Sequence, residues 1–395
     1  MKRSLLAVTV LIICTIGLLT SCDSNSSKHE NPDTGDENGI SDQDDTGDTT
    51  DTGDTQDSGN TGNTADDADT GDTTDTGDTS GDPDIADTGD TTGDMDTGDT
   101  SDTGDTGDLT AVFNLGPYFV NIIDIKEGNN GAPRNFRIYE PSGATGSVPV
   151  IHFQHGFQLK NTYYDDSLIH LSSHGFIVVS SQSAQSLMGG DTSVEEAVKV
   201  ADFITWMKNE LPSRITVVPD IAKFGVAGHS RGGKVTNHML NSNPSIALAF
   251  FGFDPVDSAP PIGNDPPSLN NPVLFQGPSM FLGAQKGPEG SQACAPAGNN
   301  SVNFYFGFPS PSWHIITAGV GHMDMIDPDD LSSCGMTCSV CAKSDNDMLN
   351  TQFRTYGGAM MAAFFSYSLK GITGYADLLS NTMNHPFMNS LAEHK

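Results

Sequence analysis

The stretch Lys223-Phe224-Gly225-Val226-Ala227-Gly228-His229-Ser230-Arg231-Gly232-Gly233 decides the reading of this chain. A short apolar run leads into Gly228-His229-Ser230-Arg231-Gly232, which has the G-x-S-x-G form of a nucleophile elbow, a serine on a strained turn between a strand and a helix. Glycines flank such a serine because side chains there would strike the neighbouring strand and helix. The residues before Ser230 are therefore expected to form a buried strand. Residues 234–241 are expected to form a short helix whose N-terminal N–H groups point at the serine. A glycine-rich turn with an incidental serine would spell the same letters; the strand before and the helix after favour the elbow.

Working outward, short apolar runs alternate with helical patterns. Residues 148–154, 175–180, 224–227, 246–253, 280–283 and 314–318 read as buried strands. Ser193-Val194-Glu195-Glu196 reads as a capping box opening a helix, with Val194, Val198, Ala201, Ile204 and Leu211 on its apolar face. Alternation of this kind predicts an α/β fold with a mainly parallel sheet and helices on both faces. Residues 112–125 and 135–139 are expected to add antiparallel strands at one edge. The span from 109 to 395 is one domain's worth of residues.

A serine nucleophile needs a base, an orienting acid and an oxyanion hole. In α/β-hydrolases these follow in the order serine, acid, histidine. Of the histidines after Ser230, His238 falls in the helix behind the elbow, His314 starts a strand, and His385 and His394 lie in a polar tail. His322 follows the run ending at Gly321 and is the candidate base. Asp254 ends an apolar strand and is the candidate acid, with Asp257 and Glu289 as alternatives. The oxyanion donors are expected to be the N–H groups of Arg231 and of Phe157, in the loop Gln154-His155-Gly156-Phe157. His155 is expected to brace that loop.

The N-terminus has a different character. Lys2 and Arg3, an apolar run from Leu5 to Leu19, and Leu19-Thr20-Ser21-Cys22 describe a secretory signal. The tetrapeptide resembles the bacterial lipobox, which makes residues 1–21 a lipoprotein signal and Cys22 the lipidated first residue of the mature chain. A plain signal peptide with an incidental cysteine is the alternative. Residues 22–108 are expected to be a disordered linker. From 23 to 108 the chain is almost pure Asp, Thr, Gly and Ser, and its 28 acidic residues against one lysine account for about 27 of the formal net charge of −33. Such a tract has nothing to bury and is expected to act as a spacer spanning roughly 50 Å. Calcium-binding repeats are disfavoured by irregular spacing and the lack of a closing glutamate. The acidic balance thus belongs to the spacer and says little about the domain's partners.

Cys294, Cys334, Cys338 and Cys341 remain in the domain. An even number of cysteines in an exported chain reads as two disulfides, with the pairing left open and a zinc site as the alternative.

His155-Gly156-Phe157, Asn161-Thr162-Tyr163-Tyr164, residues 173–179, residues 228–234, Asp254-Pro255-Val256, Cys294-Ala295-Pro296 and residues 321–325 resemble the chlorophyllase family, in the same order. The resemblance covers roughly residues 116–371. It implies an α/β-hydrolase fold, ester hydrolysis without a cofactor, and Ser230, Asp254 and His322 as the triad. A lipobox and an Asp-Thr-Gly tether are departures from the plant members. The expected partners are an apolar ester substrate and a membrane held through the lipid anchor; neither a metal, a cofactor nor a nucleic acid is expected. Lipases, cutinases and polyester hydrolases share the same logic, as does a peptidase, and a tethered binding protein on a hydrolase scaffold is the rival from another class.

Overall fold

Short β-rich segments buried on both faces form the central strands. The computed structural model describes residues 108–185, 190–259, 265–269, 272–290, 292–327, 335–344 and 346–395. The signal segment, Cys22, the acidic tract up to residue 107, and Cys334 lie outside the described residues.

Nine strands form one sheet: β1 (Phe119–Ile125), β2 (Phe136–Ser142), β3 (Ser147–Gln154), β4 (Ile177–Ser181), β5 (Val218–His229), β6 (Ala249–Phe253), β7 (Ser279–Ala284), β8 (Ser312–Thr317) and β9 (Asn389–His394). Their spatial order is β1-β2-β4-β3-β5-β6-β7-β8-β9. From β4 to β8 all neighbours are parallel. The pairs β1–β2, β2–β4 and β8–β9 are antiparallel. The helices are α1 (Asp165–Ser173), α2 (Ser193–Glu210), α3 (Arg231–Ser242), α4 (Ser301–Gly307), α5 (Gly335–Val340), α6 (Asp347–Lys370) and α7 (Tyr375–Ser380).

Because successive strand residues face opposite sides, the sheet divides the core in two. Phe251 and Phe253 of β6 join Phe153, Leu168, Met280, Ile315 and the α6 residues Phe364 and Phe365 on one face. Phe250 of the same strand joins Val150, Val226, Phe203, Val235 and Phe281 on the other. Each such side chain, fully buried, contributes about 1.5–3 kcal/mol. No helix among the described residues is long and apolar enough to cross a membrane.

Several expectations shift. Residues 246–248 precede β6, and 109–113 form a 3₁₀ turn capped by Asp108 before β1 begins at Phe119. The capping box is Thr192 with Glu195, one residue earlier than the sequence suggested. Both registers fit Thr-Ser-Val-Glu-Glu. Burial decides between them, since Glu196 turns inward to meet Arg231. The apolar stripe moves with it: Ala197, Val200, Phe203, Ile204 and Met207 are buried, whereas Val194 and Val198 are exposed. The polar C-terminal stretch also pairs. There β9 lies along β8, and Glu393 accepts a hydrogen bond at 2.9 Å from the buried His314.

Candidate active site

Four strand ends place the site. Gly156 follows β3, Ser230 follows β5, Asp254 follows β6, and His322 lies beyond β8, all at the C-terminal edge of the parallel strands, where open α/β sheets bind ligands. Ser230 has φ 55° and ψ −128°, a conformation L-residues avoid and which costs about 1–3 kcal/mol. The turn is pinned from both sides, by Ser230 N–H donating to Phe253 O at 3.2 Å and by Val256 N–H donating to Ser230 O at 3.1 Å. A Cβ on Gly232 would lie 2.2 Å from Gln154 O and 2.6 Å from His155 O, so only glycine lets α3 start this close to the β3 loop.

His322 Nε2 lies 2.8 Å from Ser230 Oγ, and His322 Nδ1 lies 2.7 Å from Asp254 Oδ2. All three residues are buried or nearly so. Asp254, itself at φ 40°, is held by its own N–H on Leu282 O at 2.7 Å, and its Oδ1 accepts Ala284 N–H at 3.2 Å. The carboxylate therefore faces the imidazole with its second oxygen already occupied. With the proton on Nδ1, the imidazole presents a lone pair to the serine hydroxyl, an arrangement able to abstract a proton and return it.

The other candidates sit elsewhere. Asp257 accepts from Ser268 N–H and Oγ–H at 2.6 Å each and fixes that loop, while Glu289 is exposed. His238 contacts Pro266 O, and His385 lies between Tyr356 Oη and Leu378 O. His155 has both ring nitrogens engaged. Nε2 accepts Ser183 N–H at 2.9 Å, so the proton is on Nδ1 and is donated to Gly156 O at 2.8 Å. Burial pushes its pKa down, so it stays neutral as a loop brace.

The loop carrying Phe157 is pressed onto Ser230, since a Cβ on Gly156 would lie 3.2 Å from Ser230 Cβ. Arg231 is the first residue of α3, so its N–H has no intrahelical acceptor. Its side chain runs the other way, into a buried charge cluster of four side chains. The guanidinium pairs with Glu196, bonds Asp265 at 3.3 Å and donates to Asp191 O at 2.9 Å, while Lys234 pairs with Asp265 at 3.2 Å. Glu196 also accepts from Gln154 and Gln185, and Gln185 accepts Gln158 N–H at 2.7 Å. One network thus ties the residue after Phe157 to the side chain of Arg231. Gln185 and Asp265 carry no motif, and Glu196, which the sequence offers as the last residue of a capping box, turns instead to Arg231 and Gln154.

The cysteines close the far side. Cys294 and Cys341 are bridged with Cα atoms 5.4 Å apart, and Cys338 is disulfide-bonded as well. The segment after Cys341 lies against the loop that carries His322: a Cβ on Gly321 would come within 1.9 Å of Ala342 O, and Asp324 accepts Ser344 N–H at 2.7 Å. The bridge closes a separation of 47 residues, a restraint typically worth about 2–4 kcal/mol. Reduction is expected to lower the melting temperature and, by freeing the segment beside His322, to lower turnover on an ester. Free-thiol counting alongside calorimetry checks it; a fully reduced protein with an unchanged melting temperature would refute the assigned restraint.

The mostly parallel nine-stranded sheet with its helices is an α/β-hydrolase fold. The family model for chlorophyllase matches residues 108–390. The chain is 34% identical over 280 residues to Chlorophyllase-1 of Arabidopsis thaliana, spanning 66% of this chain and 85% of that protein. It is 30% identical over 245 residues to Chlorophyllase-2 of the same plant, spanning 57% and 75%. To Chlorophyllase type 0 of Chenopodium album it is 30% identical over 305 residues, spanning 73% and 87%. The chain belongs to the chlorophyllase family and is an ester hydrolase.

Proposed function

We propose that the chain is an exported, lipid-anchored serine hydrolase that cleaves apolar carboxylic esters through an acyl-enzyme. Ser230 Oγ attacks the ester carbonyl as His322 Nε2 takes its proton. Asp254 holds the imidazole tautomer and stabilises the cation that forms. The N–H groups of Phe157 and Arg231 receive the developing oxyanion. His322 then returns the proton to the departing alcohol, and a water activated by the same nitrogen releases the acid. The observation that carries this reading is the continuous path from Ser230 Oγ to His322 to Asp254 at 2.8 and 2.7 Å, on a serine held at positive φ.

The names of the relatives make the ester of chlorophyll the first substrate to try. The lipobox-like Leu19-Thr20-Ser21-Cys22 and the acidic spacer support anchorage at Cys22 on the outer side of a bacterial membrane. A fluorophosphonate probe is expected to label Ser230 and stop hydrolysis. p-Nitrophenyl esters, chlorophyll and a polyester are then compared with matched amides, and mass spectrometry of the full chain looks for an acyl group at Cys22. Absence of labelling would favour a binding protein, preferential amide cleavage a peptidase, and an unmodified Cys22 would remove the anchor.

A further inference from the structure

The residue before the nucleophile is buried and chemically busy, though the mechanism above gives it no task. His229 has no solvent exposure, and neither has Tyr164. Tyr164 Oη lies 3.0 Å from Gly156 N and 2.8 Å from His229 Nδ1, while His229 Nε2 lies 3.2 Å from the backbone oxygen of His322. We propose that Tyr164 and His229 are positioning residues that join the oxyanion loop to the base loop through one hydrogen-bonded relay, in which His229 accepts from the Tyr164 hydroxyl at Nδ1 and donates to the His322 carbonyl from Nε2.

Both ends of the relay fix its proton arrangement. Gly156 N–H can only donate, so it occupies a lone pair of Tyr164 Oη and leaves the hydroxyl proton for His229 Nδ1. The His322 carbonyl can only accept, so His229 must carry its proton on Nε2. The two requirements agree on one tautomer. Burial, with His322 close by, holds His229 well below the ordinary histidine pKa, so it stays neutral, and burial likewise keeps the Tyr164 phenol protonated. The ring centroids of His229 and His322 are 4.7 Å apart, and a Cβ on Gly156 would meet His229 Nδ1 at 2.9 Å. The relay therefore sets two things at once: where Gly156 holds the following N–H of Phe157, and where the His322 backbone holds the imidazole over Ser230. Without the Tyr164 hydroxyl, Gly156 N–H and His229 Nδ1 both lose their partner while the His322 carbonyl still keeps the His229 proton on Nε2, so the oxyanion loop is released from the base loop.

The inference rests on Ser230 and His322 being nucleophile and base, and its test separates the two claims. Tyr164→Phe keeps the ring and removes only the hydroxyl. Turnover is expected to fall about 10–100-fold, the scale of a small misplacement of reacting groups, with KM nearly unchanged because substrate binding is untouched. Long-range ¹H–¹⁵N spectra of the full chain should show His229 protonated on Nε2 in the wild type and in Tyr164→Phe, with the Nδ1 resonance shifted in the variant, where it loses its hydroxyl donor. A role in packing alone would lower the melting temperature and leave both the Nδ1 resonance and turnover as they are. Wild-type turnover in Tyr164→Phe, alongside an inactive Ser230→Ala, would overturn the relay and leave the triad standing. Activity in Ser230→Ala would instead remove the reading beneath it. Should Tyr164→Phe fail to fold, the wild-type spectrum decides, since a proton on His229 Nδ1 contradicts the relay.

Discussion

Ser230→Ala is expected to lower kcat on a p-nitrophenyl ester by about 10⁶-fold while KM changes little. Removing a serine nucleophile leaves only what the oxyanion donors and binding contribute, a residue of about 10³–10⁴ over the uncatalysed reaction. The fold should survive. Ser230 is held by backbone bonds to Phe253 and Val256 that alanine retains, and α3 begins at Arg231 whatever side chain precedes it. Alanine tolerates φ 55° no better than serine, so the strain is common to both variants and cancels in the comparison. Steady-state kinetics with calorimetry on the same preparation checks the prediction. A folded Ser230→Ala that keeps even a tenth of wild-type turnover would require another nucleophile.

The elbow was legible because its chemistry constrains local sequence. A strand, a positive-φ serine and a helix starting against the β3 loop leave few residues able to follow Ser230, and Gly232 is demanded by the nearby Gln154 and His155 carbonyls. The parallel centre of the sheet was legible for a related reason: strands covered on both faces read as apolar runs. The edges were less so. β9 is largely polar, because an edge strand needs only one partner, and its assignment comes from pairing with β8. The face of α2 was misread because its apolar residues fit two stripes, and the choice was made by a charge, Glu196, whose partner Arg231 is 35 residues away in the chain.

The same distance in sequence hides most of what holds the site. Tyr164 stood out in a stretch resembling the chlorophyllases, yet nothing in the string ties it to His229, 65 residues on. Nor does Cys294 choose Cys341 among the cysteines until the fold sets their Cα atoms 5.4 Å apart. Residues that touch the reaction are restricted by chemistry and leave patterns. Residues that position them are restricted by three-dimensional contact, and a single sequence records no contact.

Asp254→Asn is expected to lower kcat by about 10⁴-fold with the fold intact, the scale set by a wrong imidazole tautomer. Asp254 Oδ1 already accepts the Ala284 N–H, which directs an asparagine's carbonyl oxygen to that side and its NH₂ toward His322 Nδ1. The imidazole would answer by placing its proton on Nε2, pointing at Ser230 Oγ, where it can no longer accept one. The loss should fall on kcat, since neither Asp254 nor the tautomer touches bound substrate before proton transfer begins. Two controls separate orientation from charge. Asp257→Asn removes a buried carboxylate that accepts from Ser268 and Leu269, so it should cost stability and spare turnover. Glu289→Gln changes an exposed side chain and should alter neither. Comparison of kcat and melting temperature across the three variants is the measurement. If Glu289→Gln or Asp257→Asn depresses kcat more than Asp254→Asn does, the orienting acid is not the one that His322 meets at 2.7 Å.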